Sequence, residues 1–140
     1  MPVSNAISAF GTLLKIGDGA TPEAFTTISE VTKLDGPKRS MSVKKFLTHG
    51  SPGAVLEGIG VSIDNGSVGF DINYVPGSAI HTKLLADQAA FVRRHFQMVL
   101  PDAALTTWNF TALVKDFNST EDPGDILTAT LTLELSGQIT

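Results

Sequence analysis

The chain has 140 residues, 42% apolar and 17% charged, with a net charge of −4 and no cysteine. That length suits one domain, here residues 1–140, with a real hydrophobic core. The absence of cysteine excludes disulfides and thiolate chemistry, and the acidic balance argues against a duplex-binding surface, which needs a basic patch.

Charged residues fall well below the roughly 25% of an average domain, and Thr, Ser, Gly and Asn take their place. This fits a β-rich chain, because Thr favours strands. It also fits a surface much of which becomes interface, where charge is depleted. The start, Met1-Pro2-Val3-Ser4-Asn5-Ala6, lacks a basic stretch followed by an apolar core, and no apolar run reaches bilayer length. The expectation is a soluble chain without a signal peptide and without membrane contact.

In chain order, Thr12 to Ile16 and Phe25 to Val31 read as strands, separated by the turn Gly17-Asp18-Gly19-Ala20-Thr21-Pro22. Asp35-Gly36-Pro37 breaks the chain, and Met41 to Leu47 reads as extended. From Thr48 to Gly66 the pattern weakens: His49-Gly50-Ser51-Pro52-Gly53 and Gly58-Ile59-Gly60 resist regular structure. The expectation there is a long irregular interaction loop, since such loops are often functional. Asp64-Asn65-Gly66 is a turn signal.

Ser67 to Tyr74 alternates, with Val68, Phe70, Ile72 and Tyr74 on one side and Asp71 and Asn73 on the other. Pro76-Gly77-Ser78 then opens a predicted helix from Ala79 to about Ala90, with Ser78 as N-cap. Ile80, Leu84 and Leu85 form its apolar side, and His81, Lys83, Asp87 and Gln88 its polar side.

Val92 to Leu100, Thr107 to Phe117 and the run from Leu127 to Ser136 read as three closing strands. Leu127, Ala129, Leu131, Leu133 and Leu135 share one face of the last strand; Thr128, Thr130, Thr132, Glu134 and Ser136 share the other. Asp122-Pro123-Gly124-Asp125 should pair the last two strands as a hairpin. The fold class is mainly β: a β-sandwich or partly open barrel with one α-helix on its flank.

Catalytic and metal motifs are weak. His49, His81 and His95 have no metal-ligand spacing. No serine sits in G-x-S-x-G, and there is no P-loop. Gly58-Ile59-Gly60 lacks the third glycine and the βαβ setting of a dinucleotide site. Asp116 to Asp122 places oxygens at alternate positions, but Glu121 stands where a calcium loop needs glycine and Leu127 where it needs the bidentate Glu. Neither an enzyme nor a cofactor is expected. The short basic clusters Lys38-Arg39, Lys44-Lys45 and Arg93-Arg94 read as solvated or interface charges.

Several segments in order resemble the tail tube (major tail) proteins of long, non-contractile-tailed bacteriophages. They are the early strand Gly11 to Gly19, the pair Phe25 to Val31 and Leu34-Asp35-Gly36-Pro37, the strand Gly66 to Pro76 leading directly into a helix, and an alternating Thr/Leu strand closing on Ser136-Gly137. The stretch Thr48 to Gly53 departs from the Thr-Ser or Asp-Ser pattern common there.

The resemblance implies a structural subunit that polymerises into stacked, typically hexameric, rings forming a hollow tube. DNA would pass through without specific binding. Its partners would be copies of itself and other tail proteins at the tube ends. Its place would be the virion, and the bacterial host cytoplasm before assembly. By element order the candidate inter-ring residues are His49, Gly50, Ser51, Pro52, Gly53, Gly58 and Gly60, and the candidate lumen-facing acids are Asp71 and Glu134. Two other readings stay open: a related tube or tail-terminator component of a phage or secretion system, and a β-sandwich ligand-binding module.

Overall fold

Alternating residues become strands throughout the computed structural model, which describes residues 3–140. Met1 and Pro2, part of the start read above as lacking a leader pattern, lie outside the described residues. The strands are β1 (Leu13–Gly17), β2 (Phe25–Thr27), β3 (Val31–Asp35), β4 (Ser40–Phe46), β5 (Glu57–Asp64), β6 (Ser67–Asn73), β7 (Arg94–Val99), β8 (Thr107–Thr120) and β9 (Thr128–Ser136), with helix α1 (Ala79–Ala89) between β6 and β7. Seven strands form one sheet in the order β2-β1-β7-β8-β9-β6-β3, and β4 with β5 forms a separate hairpin. Every neighbouring pair is antiparallel.

One face of the large sheet is the core. On β9, Ala129, Leu131, Leu133 and Leu135 are buried, in the phase that the sequence shows. Cross-strand neighbours continue the layer: Phe70 and Phe117 lie opposite Leu131, and Val68 and Val114 opposite Leu133. Burying a leucine of this kind contributes about 1.5–3 kcal/mol. A bulge between Val114 and Asp116 inserts Lys115, so Val114 and Phe117 both face inward although they stand three positions apart. Beyond the bulge β8 runs on to Thr120, past the Phe117 end expected from sequence.

The sheet is rolled. β2 and β3 are opposite edges, yet Thr27 and Val31 are only four residues apart. That chain spans at most about 14 Å, whereas six strand spacings across a flat sheet need about 29 Å. The segment between them bridges the gap: Ile28 N–H bonds to Leu14 O at 2.8 Å, and Glu30 O accepts from Asn73 N–H at 2.9 Å. Glu30 turns the corner at φ 66°. The single strand expected over Phe25 to Val31 is therefore two, divided by a crossing, and the body is a partly open barrel with α1 over its core face.

Two local expectations are corrected. Of the expected apolar side of α1, Leu84 is buried and Ile80 packs against the core, but Leu85 is not part of it, and His81 and Asp87, expected in solvent, turn inward with Leu84. His81 is fully buried because both ring nitrogens are used: Nδ1 accepts from Val75 N–H at 3.1 Å, which leaves Nε2 to donate to Ser29 O at 3.1 Å. Ser78 does stand at the N-cap in extended geometry, but its hydroxyl makes no capping bond.

Candidate functional site

The segment expected to be irregular, Thr48 to Gly66, is largely the second half of a hairpin. β4 and β5 pair from Ser40–Asp64 to Phe46–Glu57, with a register shift after Ser42. Glycine concealed the strand from sequence reading, because Gly58 and Gly60 disfavour strands even though Ile59, Val61 and Ile63 alternate with them. Their role is steric. A Cβ on Gly60 would sit 2.8 Å from Met41 Sδ, and one on Gly58 would sit 3.1 Å from Val43 Cγ1. The two β4 side chains lie flat across the glycines, and together with Ile63 they make an apolar face.

That face is uncovered. Met41, Val43, Val61 and Ile63 are 58%, 54%, 65% and 59% exposed, and the hairpin makes no extended contact with the rolled sheet or with α1. A lone two-stranded hairpin is marginally stable in water, and contiguous exposed apolar surface marks an interaction site.

The hairpin tip is preorganised. Ser51 Oγ accepts from Thr48 N–H at 3.0 Å and donates to Glu57 Oε2 at 3.1 Å, and Pro52–Ala54 forms a 3-10 turn with Gly53 at φ 61°. The seven candidate inter-ring residues thus fall in one hairpin but in two places: His49 to Gly53 at the tip, Gly58 and Gly60 inside β5.

Asp71 and Glu134 share a different surface, the face of the large sheet opposite the core. Asp71 pairs with Thr130 on β9, and Glu134 lies four residues further along that strand, opposite Ser67 and Leu113. The separation along the strand is about 13 Å. Asp116, opposite Thr132, adds a third carboxylate to the same face. Around them lie the hydroxyls of Thr128, Thr130, Thr132 and Ser136, and neither β6 nor β9 carries a Lys or Arg.

Polar contacts fasten the turns around this frame. Asp87 and Arg94 form an ion pair at 3.0 Å. The Asp87 carboxylate, with the guanidinium bonded to it, holds Arg94 above the usual arginine range. Arg94 Nη1 also reaches Asp18 O at 3.3 Å, and Lys83 Nζ reaches Gly17 O at 3.1 Å, so α1 and β7 together grip the β1–β2 turn. Backbone N–H groups of Ala20 and Ala24 hold Asp18 below the usual carboxylate range. The Thr106 hydroxyl and backbone N–H do the same to Asp102 in the β7–β8 turn. Among the described residues no three of His, Cys, Asp and Glu come together as a metal cluster, and no helix is long and apolar enough to cross a membrane.

No family model matches this chain, and no curated protein matches it. Solved structures do. The tail of the empty gene transfer agent particle, refined with C6 symmetry, superposes at a TM-score of 0.79 with 14% identity, covering 96% of this chain and 98% of that one. The tube-terminating cap of the anti-feeding prophage gives 0.73 with 14% identity, over 100% of this chain and 93% of that one. The SPP1 tail tube gives 0.66 with 10% identity, over 90% of this chain and 73% of that one. At such identities the likeness establishes the shared fold.

Proposed function

We propose that this chain is a structural, non-catalytic subunit that polymerises into stacked rings, typically hexamers, to form a hollow tail tube. The observation that carries the reading is the β4–β5 hairpin. It is fully formed, lined with apolar side chains and without extended contact to its own body, which is the state of one half of an interface. The fold shared with the gene transfer agent tail and the SPP1 tail tube supports it. Asp71 and Glu134, on strands β6 and β9 that carry no Lys or Arg, are our assignment for the tube lining; with Asp116 they outnumber Lys33, which lies opposite Asp71 on β3. A wall of that kind repels phosphates and lets DNA slide, whereas a basic wall would hold it by counterion release. His49 to Gly53 at the tip, with Gly58 and Gly60 beneath Met41 and Val43, are assigned to contact between rings.

In this reading the protein resides in the virion, reaches it from the host cytoplasm, and meets other tail proteins at the tube ends. A long non-contractile tail is our preferred setting from the sequence resemblance; contractile injection systems share the fold. The likeness to the anti-feeding prophage cap supports a second reading, a terminator that forms one ring and stops growth.

Electron microscopy of the concentrated protein, with and without a tail-initiation complex, tests both. Hollow tubes of uniform width are expected. Single rings that never lengthen would favour the terminator. A persistent monomer in the presence of the initiator would reject ring assembly and leave the ligand-binding module.

A further inference from the structure

Charge is unevenly distributed along the strand direction. β6 marks the two ends: Ser67 follows the hairpin, and Asn73 pairs with Thr128 at the base of the β8–β9 tip. At the Ser67 end, the hairpin and its neck carry Lys38, Arg39, Lys44 and Lys45, four of the chain's ten Lys and Arg residues. All four are exposed, and none has a carboxylate partner among the described residues. Two acids share that hairpin: Glu57 accepts from Ser51, and Asp64 accepts from Gly66 N–H.

At the other end, the β8–β9 tip carries Glu121, Asp122 and Asp125 and no base. Among the described residues none of the three has a cationic partner. The same end of the sheet presents Phe91, 88% exposed at the exit of α1. Phe91 stands at φ 56°, with Val92 N–H bonded to Asp87 O, where helices normally place glycine. An aromatic held in that conformation and left in solvent is an apolar counterpart for the Met41–Val43–Ile63 face. Lys115, in the β8 bulge, and Arg93 are the exposed bases nearest this end; neither lies in the tip, where three acids leave an acidic excess.

Resting on the tube-subunit reading, we propose that the basic β4–β5 hairpin of one copy docks head to tail on the acidic β8–β9 end of a second copy in the next ring. The attraction joins opposite ends of identical molecules, so it builds an open stack rather than a closed dimer. Opposed charges steer the encounter and fix its register. Because these charges are exposed, the docking weakens with salt as the screening length shrinks. The favoured occupant is a second copy rather than nucleic acid, because the bases sit beside an apolar face that phosphates would leave uncovered.

The test uses the full-length chain with an initiator, and reads tube length by electron microscopy and pelletable protein by sedimentation. K44E/K45E reverses the hairpin, E121K/D122K reverses the tip, and a third protein carries all four changes. Each reversal alone should lower the pelletable fraction about tenfold and leave rings. The fourfold variant should regain tubes. High salt should shorten wild-type tubes in the same way. Single reversals that polymerise like the wild type would overturn the proposal. So would a fourfold variant as impaired as either parent while melting like the wild type. Duplex DNA binding that is lost in K44E/K45E with tube growth unchanged would assign the bases to nucleic acid and also overturn it. If the wild type forms no tubes, the tube-subunit reading falls and takes this proposal with it; failure of the charge variants alone leaves that reading standing.

Discussion

Arg94 on β7 donates two hydrogen bonds to Asp87 on α1, Nε to Oδ2 at 3.1 Å and Nη2 to Oδ1 at 3.0 Å. The carboxylate side is 5% exposed and the guanidinium side 24%, so the pair sits at the edge of the core where the helix meets the sheet. Removing one partner of a buried pair strands the other charge. Asp87→Ala should therefore cost about 3 kcal/mol, the lower end for such pairs because Arg94 retains some water. Urea unfolding is the check; a loss below about 0.5 kcal/mol, typical of a surface pair, would contradict it.

Leu131 is fully buried between β6 and β8. Leu131→Ala should lose about 2–5 kcal/mol through transfer and cavity terms together. Leu131→Asp should leave the chain unfolded, because an unpaired carboxylate cannot be buried there. A normal melting curve for Leu131→Asp would show that this face of β9 does not form the core.

Gly60→Val separates hairpin from body. The new side chain collides with Met41 Sδ and lifts Met41 off the strand. The hairpin makes no extended contact with the large sheet, so thermal melting of the body should stay within about 1 °C, in line with surface substitutions. Tube growth should fail. Growth at the wild-type rate would show that the Met41–Val43 face takes no part in assembly.

Asp102 gives a pH dependence. Its carboxylate accepts from Thr106 N–H and Thr106 Oγ1 at 2.7 and 2.6 Å, and these bonds lower its pKa in the folded chain. An unfolded aspartate titrates near about 3.9. Below that point the unfolded chain binds the proton first, so stability rises with pH there. The contribution is fully present above about pH 4 and is lost as pH falls through the lowered folded value. Asp18, held by Ala20 and Ala24, acts in the same direction. Asp102→Asn should flatten the acid limb of a melting-temperature profile between about pH 5 and pH 2.5. An unchanged limb would remove the β7–β8 turn from the account.

Strands β6, β8 and β9 were legible because each has one buried and one open face, and alternation records that directly. Of the hairpin only β4 was, as the extended stretch Met41 to Leu47; β5 was not. Both faces of β4 and β5 are exposed here, and although Ile59, Val61 and Ile63 alternate, the positions between them are Gly60 and Ser62, preceded by Gly58, which read as turn or loop residues. Helix α1 misled for a different reason. His81 and Asp87 read as solvent-facing, yet they turn inward because Val75, Ser29 and Arg94 satisfy them. Those partners lie 6, 52 and 7 residues away, at spacings that no local pattern announces. The candidate residues divide in the same way: Asp71 and Glu134 share a face through strand parity alone, while the part played by Gly58 and Gly60 emerges only with Met41 and Val43 laid across them.

The join between β2 and β3 has a mechanical consequence. Everywhere else around the body, neighbouring strands are laced by ladder hydrogen bonds, but at this seam the chain itself from Ile28 to Glu30 forms the clasp. A hoop fastened by a short tether can gape slightly without undoing a rung. The body therefore has one place where its girth can yield under load, while the strands bearing Asp71 and Glu134, remote from the tether's β1 end, keep their spacing.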